Sequence, residues 1–112
     1  MGIERPTRSR LDSRLPGRPV DYFTRPGDFG RGPVRLCLPA GGTLAARSVA
    51  LTQHQLATAY RQLPRGSRPS LREVAATYGM SEATLGRVLS GRSWASATAL
   101  VALLHASQSP RR

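Results

Sequence analysis

The stretch from Ser70 to Gly91, SLREVAATYGMSEATLGRVLSG, constrains the fold more than any other part of the chain. Ser70 with Glu73 three residues later is a capping box, and Leu71, Val74, Ala75 and Tyr78 then recur at helical spacing, predicting a helix over 70–78. Gly79 is suited to the left-handed conformation that ends a helix. Ser81 caps a second helix, 81–90, whose inner face carries Leu85, Val88 and Leu89 and which Gly91 closes. Two helices this short must bury their apolar faces on each other and on a further helix.

A further helix is predicted over about 52–63. Thr52 and Gln55 have capping-box spacing, Leu51 and Leu56 sit at the staple positions, and Leu56, Ala59, Tyr60 and Leu63 form one stripe that stops before Pro64. A fourth helix is expected over about 94–106, with Ala97, Leu100, Val101 and Leu104 on one stripe. Ala95, Ala99, Ala102 and Leu103 make its other sides almost as apolar, so burial on more than one side is expected. One side would meet the three-helix unit and the other a second copy of the chain, giving a homodimer.

Residues 1–48 contain 13 Pro and Gly, against 7 in the 64 that follow. That density suits irregular chain, so 1–48 reads as an irregular or disordered basic arm. Its orderly piece is Val34 to Leu38, where apolar residues alternate as in an extended segment that docks on the folded part. The expected architecture is all-α: a three-helix unit and C-terminal apolar helix over 49–106, behind a mostly irregular Pro/Gly/Arg-rich segment, with a basic tail at 107–112.

The 17 basic residues are all arginine and outnumber 6 acidic ones, for a net charge of +11. The absence of lysine resembles the coding bias of a GC-rich genome, but the excess of base over acid points to a polyanionic partner, nucleic acid ahead of an anionic membrane. Nine Arg and four acids in residues 1–48 give +5, and eight Arg and two acids in 49–112 give +6, so the charge is not confined to a tail. A lone Cys37 makes no internal disulfide, the longest apolar run is too short to span a bilayer, and the N-terminus lacks a secretory signal. A cytoplasmic, DNA-associated protein without a membrane segment is expected. His54 and His105 have no ligand partners at metal spacing and read as surface residues on helices. No set of nucleophile, base and orienting group can be assembled, so no enzyme, cofactor, metal or small-molecule ligand is expected.

Leu71–Ser90 also matches the helix-turn-helix pattern: Val74, Tyr78, Leu85 and Val88 pack the helices together, Ala75 is small where they cross, and Gly79 makes the turn. Leu51–Trp94 resembles the helix-turn-helix domains of resolvase/invertase recombinases. It is also similar to the DNA-binding tails of phage HNH-type homing endonucleases, in which a Gly-x-x-Trp element like Gly91–Trp94 follows the recognition helix. MSEATLGRVLSG is similar to the headpiece of lac-repressor-type regulators. The resemblance covers about 45 of the 112 residues and implies DNA recognition by this segment. The 48 residues upstream are too few for a recombinase catalytic domain, and two histidines without asparagine do not make an HNH nuclease.

Such a module places its second helix in the major groove. Glu82, Ala83, Gly86 and Arg87 then project away from the core as base-reading candidates: Arg87 toward guanine, Glu82 toward a cytosine amino group, Ala83 toward a thymine methyl. Arg68, Ser70, Arg72, Ser81, Thr84, Arg92 and Ser93 are the phosphate candidates, and Arg47 lies where related modules extend an arm into the minor groove. The expected function is a small sequence-specific double-stranded DNA-binding protein, a transcriptional regulator of a bacterium, phage or mobile element. Its alternatives are a DNA-targeting subunit of a recombinase, nuclease or packaging complex, and a virion or interaction protein that binds nucleic acid without specificity.

Overall fold

The structure, a computed structural model, describes residues 15–108. Residues 1–14 of the expected arm and 109–112 of the expected tail lie outside the described residues. The chain is mostly helical, with α1 at Leu44–Arg61, α2 at Leu71–Thr77, α3 at Glu82–Leu89 and α4 at Ala97–Gln108.

Helix α1 begins eight residues before the expected start at 52. Thr43 is its cap, accepting a hydrogen bond from the Ala46 amide at 3.0 Å, and the alanine-rich turn that follows has high helix propensity. Thr52 and Gln55 are exposed positions in mid-helix, so their spacing does not mark a helix start, and the expected boundary at residue 48 falls inside α1. In α2 the capping box forms as expected: Ser70 Oγ accepts from the Glu73 amide at 3.1 Å and Glu73 Oε1 from the Ser70 amide at 3.0 Å. Helix α4 starts three residues later than expected, leaving Trp94 in the connection.

The buried face of α1 is Ala46, Ala50, Gln53, His54, Ala57 and Tyr60. It is turned away from the expected stripe, since Ala59 is exposed and Leu56 and Leu63 are half-buried. Alanine at three of these positions lets neighbouring backbones come close. Helix α4 and the N-terminal segment pack along α1, α3 also touches it, and α2 packs on α3 and α4. On α4 the buried residues are Ala99, Ala102, Leu103 and Ala106. Of the expected stripe, Ala97, Val101 and Leu104 are exposed and Leu100 is half-buried, so within the described chain α4 is covered along one side.

Residues 15–43 are irregular, as expected, but they do not form an arm apart from the helices. Two 3-10 turns, Pro19–Tyr22 and Pro26–Asp28, place Val20, Tyr22, Phe23 and Phe29 in the core. Phe23 and Leu36 form an antiparallel bridge, with the Cys37 amide donating to the Tyr22 carbonyl and the Thr24 amide to the Arg35 carbonyl, both at 2.8 Å. Leu36 therefore belongs to the docked extended segment that the alternation in Val34–Leu38 suggests.

His54 is buried rather than on the surface. Its ring lies 5.1 Å from that of Phe23 and 5.5 Å from that of Phe29. Nδ1 is 2.8 Å from the Gly30 amide and Nε2 is 2.8 Å from the Gly32 carbonyl. A backbone amide can only donate and a carbonyl only accept, so the ring is neutral with its proton on Nε2. Desolvation by burial holds its pKa below the ordinary value, against a smaller opposing effect of the Gly32 carbonyl.

Candidate nucleic-acid interface

Helices α2 and α3 meet through a tight corner. Gly79 has φ +69°, and the Met80 amide returns to the Ala75 carbonyl at 2.9 Å. Val74, Ala75, Leu85 and Val88 are buried at the junction, while Tyr78 is half-buried. Ser81 caps α3: its Oγ accepts from the Thr84 amide at 3.0 Å and lies 2.7 Å from Thr84 Oγ1.

With Leu85, Val88 and Leu89 inward, α3 presents Glu82, Ala83 and Arg87 to solvent, and Gly86 is half-buried beside them. Arg87 Nη2 is 3.4 Å from Thr84 Oγ1, a long contact that leaves the other guanidinium donors available. Glu82 Oε1 lies 3.9 Å from Arg72 Nε, an exposed ion pair between α3 and α2, of a kind that contributes about 0–1 kcal/mol. These two residues, assigned to base and phosphate contacts, thus stand side by side.

The other candidates divide into free and engaged groups. Arg92 is exposed beyond α3, with Nε 2.9 Å from Ser90 Oγ. Ser93 contributes its carbonyl to the interior, accepting from Gln53 at 3.0 Å. The Ser70 and Ser81 hydroxyls are engaged as caps. Arg68 donates from Nη1 to the Arg61 carbonyl at 2.9 Å, and its guanidinium lies 5.7 Å from the Tyr60 ring centroid.

Arg47 is not on an extended arm. It sits in the first turns of α1, its amide donating to the Thr43 carbonyl at 3.0 Å, so the helix that starts at Leu44 takes up the chain expected to reach for the minor groove.

The residues that set the position of α3 were not evident in the sequence. Gln53 of α1 is fully buried and makes three hydrogen bonds: Nε2 to the Val88 carbonyl at 2.8 Å and to the Ser93 carbonyl at 3.0 Å, and Oε1 from the Ala95 amide at 2.9 Å. Arg61 Nη2 reaches the Leu89 carbonyl at 3.3 Å. The last carbonyls of a helix have no partners within it, and here two of them are satisfied by α1. Gly91, at φ +76°, closes α3, and its carbonyl accepts a hydrogen bond from the Val20 amide at 3.1 Å. A Cβ there would meet Val20 Cγ1 at 2.6 Å and Phe29 Cγ at 2.7 Å. Trp94 Nε1 donates to the Gly17 carbonyl at 2.7 Å, and its ring meets Tyr22 edge-on at 5.9 Å. The N-terminal segment therefore braces the chain on the far side of the exposed helix face.

Among the described residues no helix is long and apolar enough to cross a membrane, and no group of three His, Cys, Asp or Glu is placed to hold a metal ion. Comparison with known proteins found no matching family model, no matching curated protein and no matching solved structure.

Proposed function

We propose that α2 and α3 are a helix-turn-helix pair and that the chain is a sequence-specific double-stranded DNA-binding protein that acts as a transcriptional regulator. The observation that carries this reading is the outward face of α3: Glu82, Ala83, Gly86 and Arg87 opposite the buried Leu85, Val88 and Leu89, on a chain of net charge +11. An exposed helix face with one arginine and small neighbours suits close approach to base edges in the major groove. Arg72, Thr84 and Arg92 stand around that face as phosphate contacts. Arg87 supplies a fork for guanine, and Glu82, when it leaves Arg72, an acceptor for a cytosine amino group.

A second copy of the chain joins through α4 in this reading. Val101 and Leu104 are 42% and 37% exposed, and Ala97–Gln108 contains no arginine or carboxylate. In a strongly cationic chain, such a face is where two copies meet with the least repulsion, and paired half-sites give the affinity that one small module lacks.

The test is selection of bound duplexes from a random pool, with sedimentation of the enriched complex. The reading predicts a consensus made of two half-sites bound by two chains. Tight binding without a consensus would support the non-specific alternative, and absence of binding would end the DNA reading.

A further inference from the structure

We propose that Arg31, Arg61 and Arg68 form a phosphate-binding cluster that takes a phosphodiester of the nucleic-acid backbone, so that the N-terminal segment contributes to binding. The proposal rests on the DNA reading above for its partner, and on the cluster's own geometry for its chemistry.

Three parts of the chain converge there. Arg61 ends α1, with Nη2 on the Leu89 carbonyl at the end of α3. Arg68, from the α1–α2 connection, donates to the Arg61 carbonyl and covers the Tyr60 ring. Arg31 follows Gly30, whose backbone packs on Arg61: a Cβ added at Gly30 would lie 3.1 Å from Arg61 Nε and 3.1 Å from the Leu89 carbonyl oxygen.

The charge in this cluster is unbalanced. Ion pairs join Arg18 to Asp21 and Arg72 to Glu82, and the carboxylate whose charge acts on Tyr60 together with those of Arg61 and Arg68 is Glu73, one against three arginines. Arg61 Nε is buried without an acceptor. Burial first, and then repulsion from Arg31 and Arg68, weakens the hold of Arg61 on its proton. Each guanidinium carries five N–H donors, and only Arg61 Nη2 and Arg68 Nη1 have acceptors among the described residues. Three like charges that outnumber the one carboxylate beside them among the described residues, with donors to spare, match a tetrahedral dianion or a backbone phosphate, which accepts from several guanidinium N–H groups at once.

The position fits a backbone contact and not base reading. The cluster touches the C-terminal end of α3 at Leu89, whereas the proposed reading residues occupy positions 82 to 87. It should therefore add affinity that is independent of sequence and sensitive to salt.

The test uses the full chain and the exposed Arg31→Gln variant, with Arg31→Lys as the charge-preserving control. Binding of a random-sequence duplex is titrated over a range of KCl concentrations. In parallel, inorganic phosphate is titrated while the Arg61 Nε–H and Arg31 amide resonances are followed by NMR. Arg31→Gln is expected to reduce the slope of log K against log salt by about one, to weaken duplexes of every sequence alike, and to abolish a saturable phosphate response seen in the parent and in Arg31→Lys. An unchanged slope in Arg31→Gln, in a protein whose parent binds duplex, would overturn the cluster and leave the DNA reading standing. A saturable phosphate response without duplex binding would overturn the nucleic-acid partner and keep an anion site. Loss of neither, because the parent shows neither, would overturn both.

Discussion

The Gln53 side chain on α1 donates to the Val88 carbonyl near the end of α3 at 2.8 Å, and both residues are buried. With its bonds to the Ser93 carbonyl and the Ala95 amide, the same carboxamide fixes the end of α3 and the approach to α4. Gln53→Ala leaves the Ser93 carbonyl and the Ala95 amide without this partner, while the Val88 carbonyl keeps the Gly91 amide at 3.2 Å. A buried group left unsatisfied costs about 1–3 kcal/mol, so a loss on the order of 3 kcal/mol is expected in urea unfolding. Gln53→Glu removes the donor facing two carbonyls and should destabilise at least as much.

Gly79 and Gly91 both have positive φ but differ in surroundings. Nothing lies within 4 Å of a Cβ at Gly79, so Gly79→Ala should show only the left-handed backbone cost of about 1–2 kcal/mol. Gly91→Ala adds the overlap with Val20 and Phe29 and should unfold the chain or shift its thermal midpoint several times further. Equal effects would mean that the N-terminal segment does not pack on Gly91.

Acid should weaken the fold through His54. Its folded pKa is depressed by burial, so the unfolded chain takes up the proton more readily. Stability is then fully present above the ordinary histidine value of about 6.5 and is lost as pH falls from there through the lower folded value. Each tenfold loss of proton affinity corresponds to ~1.4 kcal/mol. Urea midpoints measured from pH 8 to pH 5 should fall in the parent, and that part of the fall should vanish in His54→Gln.

Much of the α2–α3 corner is legible in the sequence because its determinants are local: the Ser70 and Glu73 cap, the Ser81 cap and the glycine turn act within a few residues. The same reasoning failed at Thr52, whose capping spacing occurs inside a longer helix that Thr43 starts with no acidic partner. It also missed Gln53 and His54. Polar residues on the inner face of α1 break the apolar stripe, and their partners, Val88, Ser93 and Ala95 for one and Gly30 and Gly32 for the other, lie at least 22 residues away. Richness in proline and glycine suggested an arm, yet four buried apolar residues, Val20, Tyr22, Phe23 and Phe29, anchor that segment on α1.

Gly86 separates stability from recognition. An added Cβ meets nothing within 4 Å, and glycine within a helix costs roughly 0.5–1 kcal/mol relative to alanine. Gly86→Ala should therefore raise the unfolding midpoint while lowering affinity for the selected duplex, because the new methyl stands on the face proposed to meet DNA. A gain in stability with unchanged affinity would remove Gly86 from that face.

Arg87 and Arg92 should behave differently. Arg87→Ala is expected to reduce discrimination between the selected site and a scrambled one by about 1–3 kcal/mol. Arg92→Ala should weaken both duplexes equally and reduce the salt slope by about one. Competition titrations at several salt concentrations distinguish the two outcomes.

Whether the outward face of α3 reads DNA is decided by mapping amide shifts of the labelled full chain on titration with the selected duplex. The largest changes are expected at Glu82, Ala83, Gly86 and Arg87, diminished by Arg87→Ala. Changes confined to α4 or to the arginines outside α3, with residues 82–87 unmoved, would contradict DNA reading by this face.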